Sequence, residues 1–192
     1  DKYFELAIVD PPYGIGMAGG KIGNSKTDYK NFAGNDETIP DSTYFKELFR
    51  ISKNQIIWGG NYMTEHLPPS SSWIVWDKVQ PEKFSMAMCE LAWTSFKTPA
   101  KIFKKRIVGA DDFRIHPTQK PVALYIWLLQ NYAKKGDKIL DTHVGSASSL
   151  IACHKLGFKY VGFEIDKDYY KASMERLQAV KDQISMFDGE AL

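Results

Sequence analysis

The chain has few of the residues on which much enzyme chemistry is built: 2 cysteines and 4 histidines among 192 residues. Cys89 and Cys153 lie far apart, in no disulfide framework and no metal-ligand spacing, so both read as reduced, buried small side chains and no metal site is expected. The sequence has no 18-residue apolar span, and no charged start followed by a small-residue cleavage site. Both absences point to an intracellular, cytoplasmic protein with no membrane partner. The first residue is Asp1 rather than methionine, which leaves room for a longer natural start. Charge of one sign is scarce as well. With 25 Lys and Arg against 23 Asp and Glu, the formal net charge is +2, too small to demand a polyanionic partner by itself. There is no internal repeat, no G-x-G-x-x-G fingerprint and no phosphate loop ending in Lys-Ser/Thr.

What is present has globular composition, 44% hydrophobic and 25% charged, in a length that suits one domain over residues 1–192. Strands are expected at Leu6–Val9, Gln55–Trp58, Trp73–Trp76, Cys89–Thr94, Lys138–Asp141 and Tyr160–Glu164, with a last one at Ile184–Phe187. Helices are expected over 44–51, 122–133 with Pro121 in the first turn, 149–156 and 168–183. This alternation predicts an α/β domain on a mostly parallel sheet, in which ligands bind beyond the carboxyl ends of strands. Two segments stand outside the pattern. Residues 14–41 hold six glycines and few aliphatics and read as a long mobile loop. Residues 97–115, with Lys97, Lys101, Lys104, Lys105, Arg106 and Arg114 against Asp111 and Asp112, read as a short basic connection or insertion.

The loop from Asp141 through Thr142, His143, Gly145 and Ser146 to Ser148 joins a strand to a helix through small residues. These let a ligand approach the backbone and the amides of the helix start. A plain strand–helix turn uses the same residues, so the loop alone decides nothing. Glu164 sharpens it. An acidic residue nineteen positions beyond Gly145, at the tip of the next strand, can accept hydrogen bonds from both hydroxyls of a ribose, which favours an adenosine-containing cofactor.

Asp10-Pro11-Pro12-Tyr13 after an apolar strand fits one chemical problem. The lone pair of an aromatic base amine is delocalised into its ring, which makes the amine a poor nucleophile. The Asp10 carboxylate and the Pro11 carbonyl can each accept one N–H of that amine and free the lone pair. The prolines fix the direction of the carbonyl, and Tyr13 offers a face on which an extruded base can stack. No enzyme nucleophile is needed, in keeping with the lack of a Pro-Cys pair: Cys89 follows Met88 and Cys153 follows Ala152.

With D-P-P-Y first, His116-Pro117-Thr118-Gln119-Lys120-Pro121 later and the Asp141 loop last, the chain resembles the permuted beta class of amino-group DNA methyltransferases over nearly its whole length. The resemblance implies a Rossmann-like fold dependent on S-adenosylmethionine, with the final strands inserted beside the first. Asp10, Pro11, Pro12 and Tyr13 would hold the target base. Asp141, Thr142, His143, Gly145, Ser146 and Glu164 would hold the cofactor, with Thr118 and Lys120 at its amino-acid end. A lysine ammonium suits a carboxylate there. Two departures are visible. The family loop is usually D-P-F-x-G-S-G, and here Thr142, His143 and Ala147 replace Pro, Phe and the last Gly. The stretch between Thr94 and His116, where such enzymes often carry a target-recognition insertion, is short. Sequence readout is then left to residues 14–41, to a second subunit (the resemblance allows a homodimer) or to a missing segment. DNA is the expected partner, with Lys104, Lys105 and Arg106 on its phosphates. Adenine N6 is the leading target and cytosine N4 its rival, since both amines offer the same two hydrogens. RNA methylation and a non-catalytic nucleic-acid-binding subunit of the same fold are the remaining readings.

Overall fold

In the computed structural model, the residues described are 1–16, 37–81, 87–106, 115–116 and 118–189, with the side chains of 184–189 excepted. Seven strands form one sheet: β1 (Phe4–Val9), β2 (Ser52–Trp58), β3 (Trp73–Asp77), β4 (Cys89–Thr94), β5 (Lys101–Lys104), β6 (Lys138–Asp141) and β7 (Lys159–Gly162). Their order is β5-β3-β4-β2-β1-β6-β7. Only β4 runs against its neighbours. β1 pairs in parallel with β2 (Val9 opposite Ile57) and with β6 (Ala7 opposite Leu140). The late β6 therefore lies directly beside β1, with β7 beyond it, the permuted arrangement that the order of motifs implies.

The central strands are buried on both faces, which is why they read as continuous apolar runs. Period-2 alternation divides their side chains. Leu6 and Ile8 of β1, Ile56 and Trp58 of β2, Ile74 and Trp76 of β3 and Ala92 of β4 face the helix α2 (Val122–Tyr132), meeting Leu124, Tyr125, Leu128 and Leu129. Ala7, Val9, Ile57 and Trp93 face the opposite layer, where α1 (Ser42–Ile51) contributes Phe45 and Leu48. α1 starts at Asp41, whose carboxylate accepts the Thr43 and Tyr44 amides at 2.9 and 3.1 Å. α3 (Ser148–Lys155) follows β6, and α4 (Lys167–Gly189) closes the described chain.

Four expectations change. The basic stretch 97–115 contains β5, an edge strand only four residues long, in which half-buried Lys101 and Phe103 alternate with exposed Ile102 and Lys104. Its lysines hide the pattern, and lysine is also a residue that guards an open sheet edge. β7 stops at Gly162, two residues short of Glu164. The backbone of 184–187 continues α4 instead of forming a strand, since nothing between Gln183 and Gly189 breaks a helix. Cys153 is buried as expected, but Cys89 is exposed, because it opens β4 at the rim. Residues 17–36, the body of the expected mobile loop, lie outside the described residues, as do 107–114 and Pro117. Among the described residues, no helix is long and apolar enough to cross a membrane, and no group of three or more His, Cys, Asp or Glu could hold a metal ion.

Candidate active site

Because only β4 is reversed, the carboxyl ends of six strands share one edge of the sheet with the start of β4. The residues that follow or end those strands meet there: Asp10, Gly59, Lys78, Lys104, Asp141 and Glu164, with Glu90 entering from β4. Alternation does the rest. Asp10 continues the α2-facing series of Leu6 and Ile8, Lys78 that of Ile74 and Trp76, and Glu90 that of Ala92, so all three turn toward the start of α2.

Lys120, just before α2, fills the space between them. Its side chain is 3% exposed, and its Nζ donates to Asp10 Oδ2 at 2.5 Å, Glu90 Oε2 at 2.9 Å and Tyr13 Oη at 3.2 Å. The Trp58 and Tyr13 rings flank it at 5.2 and 5.6 Å, within cation–π range. Tyr13 Oη donates to Asp10 Oδ1 at 2.7 Å. Lys78 Nζ holds the other oxygen of Glu90 at 2.7 Å. Two buried ammonium groups thus balance two carboxylates. Burial raises the Asp10 pKa; Lys120 opposes the rise and the Glu90 charge adds to it. Burial acts the same way on Glu90, but Lys120 and Lys78 outweigh it and bring that carboxyl down to about 2. For Lys120, burial would lower the pKa, yet Asp10 and Glu90 together raise it. Sequence reasoning placed Lys120 at a cofactor's amino-acid end; the structure pairs it with Asp10. Sequence reasoning gives neither Glu90 nor Lys78 a role, although strand parity from Ala92 and Trp76 aims both at Asp10.

Pro11 is buried, and Pro12 and Tyr13 are half-buried. The Tyr13 ring stacks on Tyr62 (centroids 5.4 Å apart, planes 18° from parallel) and lies across Gly59, where a Cβ would stand 2.2 Å from it. Gly59 also has φ +68°, a left-handed conformation that suits glycine. The Trp58-Gly59 turn is therefore the floor on which Tyr13 rests.

The second half of the site lies across the β6 and β7 ends. Asp141 accepts Ser149 Oγ at 2.5 Å and the His143 amide at 2.9 Å, and burial pushes its pKa up to about 7. Glu164 accepts the Gly145 amide at 2.8 Å on one oxygen and the Asp166 amide at 2.9 Å on the other, so the loop and the acidic residue are locked together. Phe163 and Ile165, 58% and 81% exposed, flank it with apolar surface. Thr142 Oγ1 bonds Tyr44 of α1 at 2.8 Å and His143 Nδ1 at 2.9 Å. Burial lowers the His143 pKa to about 4, so the imidazole is neutral at pH 7. Ser146 turns inward to Ser148 Oγ at 3.1 Å, and its carbonyl accepts from Arg176. Ala147 does adopt the left-handed geometry of the glycine it replaces (φ +61°), at a cost of about 1 kcal/mol.

One short segment joins the halves. The His116 ring lies 3.8 Å from the position of a Cβ on Gly145, packs on Tyr169, and accepts the Thr118 hydroxyl or donates to it at 3.1 Å; four residues later Lys120 reaches Asp10. Lys104 is exposed at the end of β5 with Asp77 3.8 Å away, while Arg106 donates to the Val79 carbonyl at 3.2 Å. The Lys105 amide bonds the Asp77 carbonyl. Lys104 and Arg106 are exposed, and Lys105 between them is half-buried.

A family model described as DNA methylase matches residues 32–175. Among curated relatives, the Type II methyltransferase M2.DpnII of Streptococcus pneumoniae is 39% identical over 64 residues, 33% of this chain and 24% of its own length. The Type II methyltransferase M.HpaI of Haemophilus parainfluenzae is 24% identical over 93% of this chain and 69% of its own length. Among solved structures, the M1.HpyAVI-SAM complex superposes with a TM-score of 0.59 at 19% identity, over 91% of this chain and 89% of that one.

The contact between Tyr13 and Gly59 is directly testable. Gly59→Ala adds both a strained φ and a methyl inside the Tyr13 ring, and is expected to cost about 2 kcal/mol of stability. Urea unfolding with an unchanged midpoint would show that the ring does not rest there.

Proposed function

The chain belongs to the DNA methylase family, and we propose that it transfers a methyl group from S-adenosylmethionine to the N6 amine of a flipped adenine in duplex DNA. The observation that carries this reading is the placing of the Asp10–Tyr13–Lys120 cluster, with Tyr13 stacked on Tyr62 and Gly59, on the same sheet edge as the Gly145–Glu164 loop, with His116 against Gly145. The loop suits an adenosine-bearing group. Gly145 has φ +52° with the His116 ring within van der Waals reach of the position of a Cβ, each Glu164 oxygen keeps acceptor capacity for ribose hydroxyls, and Phe163 and Ile165 offer apolar faces to a flat base. When bound there, S-adenosylmethionine supplies an electrophilic methyl on a positively charged sulfur.

The chain's own part is positioning and proton handling. Asp10 and the Pro11 carbonyl accept the two N–H bonds of the amine and release its lone pair, while Tyr13, backed by Tyr62 and Gly59, stacks on the base. The freed lone pair would then take the methyl that the sulfonium gives up, and the surplus proton on nitrogen would pass to Asp10. Holding Asp10 above the ordinary aspartate range favours that last step. In this reading Lys104, Lys105 and Arg106 would meet phosphates, and a second copy of the chain is the protein partner that it allows.

Incubation with methyl-labelled S-adenosylmethionine and unmethylated duplex DNA, followed by mass spectrometry of the nucleosides, is expected to yield N6-methyladenine. Label in cytosine alone overturns the choice of base, and no label in DNA while RNA accepts it overturns the choice of substrate. No transfer at all, with cofactor bound, returns the chain to the class of non-catalytic subunits. Neutralising Lys104, Lys105 and Arg106 together is expected to weaken DNA binding similarly across sequences. The log–log salt slope should flatten by about 0.9 for each phosphate that is no longer neutralised. An unchanged slope removes the three from the DNA face.

A further inference from the structure

We propose that Glu90 and Lys78 are positioning residues for the methyl transfer: Glu90 holds the Lys120 ammonium so that Asp10 can pass from it to the target amine. The proposal rests on the base-amine reading and adds to it a device that neither the D-P-P-Y motif nor the cofactor loop contains.

The problem it solves is visible in the geometry. Both oxygens of Asp10 are engaged, Oδ1 by Tyr13 and Oδ2 by Lys120. A carboxylate has room for further acceptance, but a charged N–H donor is about twice as strong as a neutral one and competes directly with an amine for Oδ2. The ammonium cannot simply withdraw, because it is buried and an unpaired buried charge is costly. It needs a second anion within reach, and Glu90 Oε2 at 2.9 Å is that anion. Glu90 is in turn fixed by Lys78 on Oε1 at 2.7 Å, with Lys78 over the Trp76 ring at 5.4 Å as Lys120 is over Trp58. The two rings pack edge to face. Glu90 and Lys78 thus reach Asp10 through Lys120 and through their charge.

Among the described residues, the groups that face Asp10 are Tyr13 beside it, Tyr44 from α1, Glu90 from β4, Lys120 just before α2, Tyr125 from its first turns, and Asp141 from β6. Lys120 is the one cation among these described groups. Removing the Glu90 charge leaves Lys120 with Asp10 as its remaining carboxylate in reach and deletes a like charge next to Asp10. Removing the Lys78 charge does the reverse: Glu90 is no longer compensated from behind, and its negative charge weighs more heavily on Asp10.

The test uses Glu90→Gln and Lys78→Gln in the full chain, each of which keeps a hydrogen-bonding amide in place of the charge. The Asp10 carboxyl titration, followed by 13C NMR, is expected to move down by about one pH unit in Glu90→Gln and up in Lys78→Gln. In single-turnover transfer from saturating labelled S-adenosylmethionine to unmethylated DNA, the acid limb should follow the same two directions. Glu90→Gln should slow transfer at least about tenfold, with cofactor affinity held within about threefold. Loss of the Glu90 charge moves the Asp10 titration whatever role Glu90 has, so the transfer rate separates the two: titrations that stay fixed or move together, or Glu90→Gln transfer within about threefold of wild type across the pH range, overturn the proposal. If Glu90→Gln does not fold, the Lys78→Gln titration and the acid limb of its transfer decide. Wild-type chain that shows the NMR coupling but labels no base amine overturns the base-amine reading and, with it, the handover; the titration separates that failure from the loss of coupling itself.

Discussion

The ammonium of Lys120, held out of water between Asp10 and Glu90, sets the terms for everything around it. Burying a charge is tolerable only when it is paired and hydrogen-bonded. Here one lysine meets two carboxylates, a phenol and two aromatic faces at once. Those partners come from the ends of β1 and β2 and from the start of β4, so the sheet must hold one register across three strands for the charge to be satisfied. The same lysine ends the segment whose histidine faces Gly145. Pairing Lys120 with Asp10 therefore also fixes how far the base pocket stands from the cofactor loop.

The two halves differ in how they are held. The Asp10–Tyr13 half is organised by charge and by ring stacking, with the polar side of Tyr13 on Asp10 and its flat face on Tyr62 and Gly59. The Asp141–Glu164 half is organised by amides, since Glu164 takes the Gly145 N–H and Asp141 takes that of His143. Departures from the usual loop are absorbed locally. Thr142 and His143 bond each other and are pinned to α1 through Tyr44, which gives two polar side chains partners at a position where the family pattern has proline and phenylalanine.

Much of this is legible in the sequence alone. Asp10–Tyr13 announces itself by two prolines after an apolar strand, and Glu164 by its distance from Gly145, because both signals are local in sequence. Glu90 and Lys78 carry no assigned role in the sequence reading because each lies at the end of a largely apolar strand, where a charge reads as an ordinary strand-end residue. Their meaning depends on which strands become neighbours, and Glu90 stands opposite Trp76 only once β3 and β4 have paired. The resemblance gives Lys120 to a cofactor's amino-acid end, and in the structure its ammonium meets the carboxylates of Asp10 and Glu90. β5 escaped notice because four residues with two lysines at its ends carry too little periodicity, and Ile184–Phe187 was misread because a short apolar run looks alike in a strand and in a helix.

The central claim is that one edge of the sheet carries two separately held sites, Asp10 serving the base amine and Glu164 the cofactor ribose. Calorimetric titration of Asp10→Ala and Glu164→Ala with S-adenosylmethionine, alongside single-turnover methyl transfer, tests it most directly. Asp10→Ala should bind the cofactor within about threefold of wild type while transfer is lost, and Glu164→Ala should show weakened cofactor binding as its first defect. Loss of cofactor binding in Asp10→Ala as large as its loss of transfer would contradict the division.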